Sequence, residues 1–363
     1  MITEPLPDWL APSQSQFLRL YERLPHALLI QGEQGLAKSQ LVIQMVAALL
    51  CDAPSQNADA LQACGQCRNC VMFESGNHPD FHYQSTELFV EHGNSAHLNY
   101  ANRYLEDLAK RAKRKPRRVI SVDQIRALID DFSLSHHSAR HKVALIQPAD
   151  AMNTNAAIAL LKLLEEPNPG SILILVSHDA ARLPMTIRSR CVSMSVHLPA
   201  FEQAMAWLVA QGIEQAQAGK ALAISGGAPI KAQAFIQDNA LQDFKTVLST
   251  LGALLSGHLS PIEAREAMHK LQNTAILISW LQNIISWMMA MTMHIDASDS
   301  AAWRAYQTEL SALTAYVNET NLERLRQLYD DLIEMKKQDV QIIQIGLLLD
   351  KWLIAFYQRL RSV

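Results

Sequence analysis

Residues Asn153 to Cys191 read NTNAAIALLKLLEEPNPGSILILVSHDAARLPMTIRSRC, and this stretch decides the fold. Asn153 or Thr154 can cap a helix, and Ala157, Leu160, Leu161 and Leu164 recur at the spacing of one helical face. Pro167 forbids continuation, so the helix is predicted to end at Glu165-Glu166. Ile172 to Val176 is an unbroken run of strand-forming residues with no polar face. That pattern predicts a central strand of a parallel sheet, covered on both sides. Arg188, Ser189, Arg190 and Cys191 follow beyond it.

Working outward, Ala27 to Ile30 is a second short apolar strand, and it runs straight into Gln31-Gly32-Glu33-Gln34-Gly35-Leu36-Ala37-Lys38-Ser39 and an apolar helix, Leu41 to Leu50. Strand, glycine-containing loop, Lys-Ser and helix form the layout of a phosphate-binding loop. In such a loop backbone N–H groups surround the phosphates, a lysine neutralises charge and a hydroxyl binds magnesium. Gly32, Gly35, Lys38 and Ser39 are the candidate nucleotide-binding residues. Ala37 stands where the pattern calls for a second glycine, and its methyl group restricts φ and crowds a ligand. The loop is therefore expected to keep the fold while holding no ATP, although Lys38 and Ser39 leave nucleotide binding open.

Val143 to Ile146 is predicted to be a further buried strand, and Gln147-Pro148 follows it. An ATPase of this layout needs carboxylates there, one for the magnesium shell and one to orient the attacking water. Neither is present. Asp150 comes two residues too late and is expected to cap the following helix. Val119 to Val122 is read as a strand and Asp123 to Phe132 as a helix. The first 25 residues place Trp9, Phe17, Leu20 and Leu24 on one face of a short helix.

Five cysteines occupy positions 51, 64, 67, 70 and 191. Cys64, Cys67 and Cys70 form C-x-x-C-x-x-C, a density typical of metal ligation in a reducing compartment rather than of disulfides. Three thiolates from a tight turn need one more ligand to close a tetrahedral zinc site, and Cys51 and His78 are both candidates. Nothing in the pattern suggests an open position for zinc catalysis, so the site is read as structural. Lys110, Arg111, Lys113, Arg114, Lys115, Arg117 and Arg118 form a dense basic run, which reads equally as a phosphate-contacting surface or as a solvated insertion.

Order and spacing of these features give the chain its resemblance. The cysteine cluster after the first long helix, Gly76-Asn77-His78-Pro79-Asp80, Leu160-Leu161-Lys162-Leu163-Leu164-Glu165-Glu166-Pro167 and Ser189-Arg190-Cys191 resemble the clamp-loader branch of the AAA+ ATPases, as found in the bacterial DNA polymerase III holoenzyme. The resemblance covers essentially the whole chain. It implies an α/β RecA-like AAA+ domain over residues 1–197 with a zinc module at about 51–80, a helical lid domain over 198–240, and an all-α C-terminal collar domain over 241–363. It also implies that Cys51 is the fourth zinc ligand, because the family carries a cysteine at the end of that helix. Arg190 becomes a trans arginine finger for ATP on a neighbouring subunit, with Ser189 and Cys191 as its motif neighbours. Active members carry an arginine at the position of Pro229, so this chain looks like one of the family's non-hydrolysing subunits. The implied partners are gamma/tau and delta subunits in a hetero-pentamer, with the sliding clamp and primed DNA reached through the complex.

Composition bounds these expectations. The chain has 363 residues, 49% hydrophobic and 18% charged, enough for two or three globular domains. A net charge of −3 argues against a surface that is wholly a nucleic-acid footprint. No signal peptide is read at the N-terminus, which points to a cytoplasmic protein. Ala275 to Met293 imitates a membrane span but lacks flanking cations, and is read as a buried helix. Two other classes stay in view. An active gamma/tau-type motor would need the missing carboxylates, and a zinc-containing DNA-binding module would act through the basic run.

Overall fold

The computed structural model describes residues 2–57, 60–93, 96–111, 113–133, 139–271, 274–293, 305–318, 321–337 and 342–361. The chain divides into two compact units, Met1–Leu198 and Pro199–Val363.

Among its described residues the first unit has seven strands: β1 (Ala27–Gln31), β2 (Ser55–Asn57), β3 (Ala60–Gln62), β4 (Phe81–Gln84), β5 (Lys142–Ile146), β6 (Ser171–Ser177) and β7 (Val192–Ser195). Five of them form one parallel sheet in the order β4-β5-β6-β1-β7, and β2 and β3 make a separate antiparallel hairpin. All seven residues of β6 are buried, as its uninterrupted apolar run requires of a strand covered on both faces. Side chains alternate across the sheet. One face sets Leu29, Ala144, Ile146, Leu173 and Leu175 against Ile125, Leu128 and Phe132 of the helix Val122–Phe132 and against Ala156, Ala157, Leu160 and Leu164 of the helix Thr154–Glu165. Helix Lys38–Leu50 packs on β5 and buries Leu41, Val42, Met45 and Val46.

The decisive helix starts where its cap places it. Asn153 Oδ1 accepts the Ala156 N–H at 2.8 Å, and Glu165 is the last helical residue. Leu163, rather than Leu161, completes its buried face.

Three local expectations need correction. Val119 to Val122 is no strand. Ser121 caps the helix that begins at Val122, in a reciprocal capping box with Gln124, and Ile120 makes only an isolated bridge to Met152. Asp150 does not cap the following helix, because Asn153 does. The short N-terminal helix spans Ala11–Tyr21, so Trp9 and Leu24 lie outside it, although Trp9 and Phe17 are buried.

The second unit is helical throughout its described residues. Helices Phe201–Ala210, Gln215–Ser225 and Pro229–Gln237 enclose a small core of Ala204, Leu208, Ala218, Ala221, Leu222 and Ala232. Pro229 occupies the first helical position, where its missing N–H costs nothing. A larger core joins Phe244, Leu248, Leu251, Leu281, Ile285, Leu325, Leu328, Leu332, Trp352 and Phe356. The span-like segment is the helix Thr274–Thr292, with Leu277, Trp280, Leu281, Ile284 and Ile285 buried within that core. No described helix is long and apolar enough to cross a membrane. Leu325, Leu328, Leu332 and Met335 are buried on one face, as are Leu349 and Trp352, whereas the side chains of Ile342 and Ile345 lie outside the described ones.

Candidate functional site

β1 delivers the chain into the phosphate-type loop, and the loop is folded upon itself. Gly32 has φ 150°, and a Cβ there would stand 2.3 Å from the Val196 carbonyl oxygen just beyond β7. The fold therefore demands this glycine whether or not a nucleotide binds. Gly35 and Ala37 also have positive φ, 89° and 61°. Ala37 sits in the left-handed region at the helix N-cap, the conformation that the missing glycine would adopt freely.

Lys38 is 3% exposed, and its ammonium donates to the Gly32 carbonyl at 2.6 Å and to the Glu33 carbonyl at 2.5 Å. Burial pulls its pKa down to about 8, against the opposing pull of Asp150 and Glu33. Ser39, the residue placed to bind magnesium, accepts a hydrogen bond from Gln147 Nε2 at 2.6 Å. Gln147 in turn accepts from the Tyr83 hydroxyl at 3.3 Å. An amide thus fills the place where β5 would have to present a carboxylate. Asp150, the next acid along, accepts from Ser177 Oγ and from the His178 N–H, both at 2.8 Å. His178 is held neutral, its pKa pulled down to about 4 by burial and then by Lys38. The side chains of Lys38, Ser39 and Asp150 are thus all engaged within the protein.

The cysteine cluster forms directly behind the loop helix. Cys51 ends the helix Lys38–Leu50, β2 and β3 return the chain, and Cys67 N-caps the short helix Arg68–Glu74 by accepting the Cys70 N–H. The four sulfur atoms of Cys51, Cys64, Cys67 and Cys70 lie within 4.8 Å of one another, with Cys51–Cys67 at 3.9 Å and Cys64–Cys70 at 4.0 Å. Four thiolates about 2.3 Å from a tetrahedral zinc ion stand roughly 3.8 Å apart, so the cradle fits that ion. The N–H groups of Gln66 and Cys67 push the Cys64 thiol down to about 6, while burial pushes those of Cys51 and Cys70 up. N–H donors aimed at sulfur are what metal-bound thiolates need.

His78 lies elsewhere. One ring nitrogen meets Asn69 Oδ1 at 3.2 Å, the other accepts the Asp80 N–H at 3.1 Å, and the residue is fully buried. Between Cys51 and His78, the structure brings the former to the other three cysteines.

The Ser-Arg-Cys triplet occupies the opposite edge of the sheet. All five strands run the same way, so the loop leaves the C-terminal end of β1 while Arg190 precedes the N-terminal end of β7. Val192 pairs with Leu28 and Ser195 with Gln31, which puts Arg190 at least about 10 Å of strand length back from the loop. Its guanidinium donates to Glu165 Oε1 at 2.8 Å and to the Thr186 carbonyl at 3.0 Å, with the side chain 37% exposed. Ser189 is exposed and donates to Thr186 O at 3.3 Å. Cys191 packs against the sheet core, and burial pushes its thiol up to about 11, so it is no nucleophile at neutral pH.

The basic run is tied to the protein at Arg111, Arg114 and Arg117. Glu87, 3% exposed, receives both guanidinium nitrogens of Arg114 at 2.7 Å and the Arg117 N–H at 2.8 Å. Arg111 is buried and donates to Asn102 Oδ1 at 3.0 Å. Sequence reading missed this lock. Its only signal was Glu87, an acid far upstream with no fixed spacing to the run.

Comparison with known proteins gives the chain a family. The family described as "DNA polymerase III, delta subunit" matches residues 17–200, and the chain belongs to it. It is 38% identical to DNA polymerase III subunit delta' of Pseudomonas aeruginosa over 57% of this chain and 55% of that protein. Against the delta' subunit of Escherichia coli it is 26% identical, over 93% of this chain and 90% of the relative. Against that of Haemophilus influenzae it is 26% identical, covering 81% and 80%. Among solved structures, a gamma subunit-related protein of Thermotoga maritima aligns over 96% of this chain and 100% of its own, at 14% identity and a TM-score of 0.37.

Proposed function

We propose that this chain is a non-hydrolysing, delta'-type subunit of a DNA polymerase III clamp loader, and that it supplies Arg190 to ATP held by a neighbouring subunit. The placement of Arg190 on the sheet edge opposite its own phosphate loop carries the reading. An arginine so placed cannot serve a nucleotide in the same chain, whereas an adjacent subunit can bring its nucleotide to that edge. The Glu165 partner is no obstacle, since an exposed ion pair is worth about 0–1 kcal/mol and exchanges readily for a phosphate. Arginine suits the role because its planar fork stays charged and donates to two oxygens at once. Arginine fingers accelerate phosphoryl transfer by roughly 10³ to 10⁵.

The loop supports the non-hydrolysing part. Ser39 is bonded to Gln147, Lys38 to its own loop carbonyls, and Asp150 to Ser177 and His178. In this reading residues 198–240 act as the lid and residues 241–363 join a collar with delta and gamma/tau subunits. The hetero-pentamer would load the sliding clamp onto primed DNA. The four cysteines would hold a closed, structural zinc ion that fixes the end of the loop helix.

The test is steady-state ATPase of the reconstituted loader, with clamp and primed DNA, for wild type, for Arg190→Ala and for the isolated chain. The expected result is an inactive isolated chain and a steep loss on Arg190→Ala while assembly persists. Hydrolysis by the isolated chain, or an unchanged complex, overturns the proposal.

A further inference from the structure

The cysteine cradle leaves His78 and its motif, Gly76-Asn77-His78-Pro79-Asp80, without an assigned role. The hydrogen bonds of His78 have definite directions. Its Nδ1 accepts the Asp80 N–H at 3.1 Å, so the ring proton belongs to Nε2, which donates to Asn69 Oδ1 at 3.2 Å. Asn69 Nδ2 then donates to Asp52 Oδ1 at 2.8 Å, the only sense that an ionised carboxylate allows. Donor meets acceptor at all three bonds, which run one way from Asp80 to Asp52.

This chain of bonds crosses the point where the cradle is assembled. Asp52 directly follows Cys51, whereas Asn69 lies between Cys67 and Cys70 on the helix Arg68–Glu74 and its N-cap. The Asn69–Asp52 bond therefore ties the segment carrying Cys51 to the segment carrying two of the other three sulfur atoms. His78 holds the opposite side of the Asn69 amide. The backbone of the motif reaches the same helix, because the His78 N–H donates to the Tyr100 hydroxyl at 2.8 Å and that hydroxyl meets the Met72 and Phe73 carbonyls at 3.2 and 3.1 Å. At its far end the motif is anchored in the sheet. The Asp80 carbonyl accepts the Val143 N–H of β5, and Asp80 Oδ2 accepts the Ala139 N–H, both at 2.8 Å. Asn69, His78, Asp80 and Tyr100 are each no more than 2% exposed, and the rings of Phe73, Phe81 and Tyr100 pack together with centroids 4.8 to 6.1 Å apart. In such dry surroundings a broken hydrogen bond is costly, so the arrangement is held.

A metal site whose ligands come from separate segments binds more tightly when those segments are fixed before the ion arrives. We propose that Asn69 and His78 are positioning residues for the four thiolates, and that the motif is a bracket fixing the cradle to the sheet edge at Asp80. The proposal rests on the reading that the cradle holds zinc. His78 acts here without being a ligand, which separates this role from the ligand role that the spacing of the sequence leaves open.

The experiment measures the zinc content of the full-length chain and then the rate at which zinc passes to an excess of a chromogenic chelator. Wild type is expected to hold one zinc ion per chain on its four cysteines. Asn69→Ala and His78→Ala should release it at least about tenfold faster. His78→Gln keeps a donor near the place of Nε2 and should fall between His78→Ala and wild type. Asp52→Ala changes an exposed side chain, so it should fold as wild type does while still releasing zinc faster. With cobalt in place of zinc, the thiolate absorption should be the same in every variant, since no ligand is lost. As a control, Tyr104→Phe deletes a buried hydrogen bond to His82 on β4 and should leave release unchanged. Wild type without zinc overturns the zinc reading and this proposal with it. Wild type that holds zinc, with Asn69→Ala and Asp52→Ala releasing it at the wild-type rate, overturns this proposal alone. So does an altered cobalt spectrum in His78→Ala, which would make His78 a ligand, or equally fast release from Tyr104→Phe.

Discussion

Lys38 and Arg190 are two cations on one parallel sheet, and they live under opposite conditions. Lys38 is buried at the C-terminal edge, bonded to two carbonyls of its own loop, with its pKa drawn down to about 8. Arg190 is half exposed at the N-terminal edge, held by one surface carboxylate and one carbonyl. A buried group bonded to its own loop must break those bonds to take a ligand. A group held by a weak surface pair needs only an exchange. The residue matching a nucleotide motif is therefore the less available of the two, and availability, rather than motif membership, separates a scaffold from a working group.

The contrast can be broken most decisively at the exposed end. Arg190→Lys in the assembled loader should lose nearly as much ATPase as Arg190→Ala, because a single ammonium cannot reproduce the guanidinium fork. A lysine variant with wild-type rate would mean that simple charge suffices at that corner.

At the closed end the effects should fall on stability. Gly32→Ala drives a methyl group into the Val196 carbonyl at 2.3 Å and should cost at least roughly 3 kcal/mol in denaturant unfolding. A stable Gly32→Ala protein would show that the loop is looser than its contacts imply.

Acid should also strike this end. His178 has a pKa near 4 in the fold against 6.5 when free, so between those values the unfolded chain binds more protons. Stability is thus fully present above pH 6.5 and declines as pH falls towards 4. Thermal melts at pH 7 and pH 5 should show the decline, and His178→Gln should reduce it.

Smaller effects sharpen the contrast. Ala37→Gly should stabilise the isolated chain by about 1 kcal/mol, since it removes a methyl group from the left-handed region. Glu165→Gln should change stability by less than about 1 kcal/mol, as befits an exposed pair.

The sheet and its decisive helix were readable in the sequence for a simple reason. β1, β5 and β6 are apolar on both faces, and Asn153 and Pro167 bracket the helix with unambiguous backbone chemistry. β4 escaped because Phe81-His82-Tyr83-Gln84 buries polar side chains that a hydrophobic pattern places outside. His82 Nδ1 meets the Tyr104 hydroxyl at 2.5 Å, and Gln84 donates to the Gln124 carbonyl at 2.7 Å. The helix start at Ser121 was written in the sequence as Ser-Val-Asp-Gln, a capping-box spacing that the neighbouring β-branched residues obscured. The loop's self-closure was not readable, because Gln147 and Ser39 are brought together only by the pairing of distant strands. The cysteine cluster needed the fold to choose between Cys51 and His78, since spacing alone admitted both.

Strand order carries a further consequence, for the chain as it is made. β1 emerges early, yet its only two neighbours in the sheet are β6 and β7. Until residue 171 is available, Ala-Leu-Leu-Ile has no partner strand for its backbone. The cysteine cluster, by contrast, can close as soon as Cys70 is synthesised. Synthesis therefore passes through a long interval in which a finished thiolate cradle stands beside an unpaired apolar strand, and chains truncated in that interval are the ones expected to aggregate.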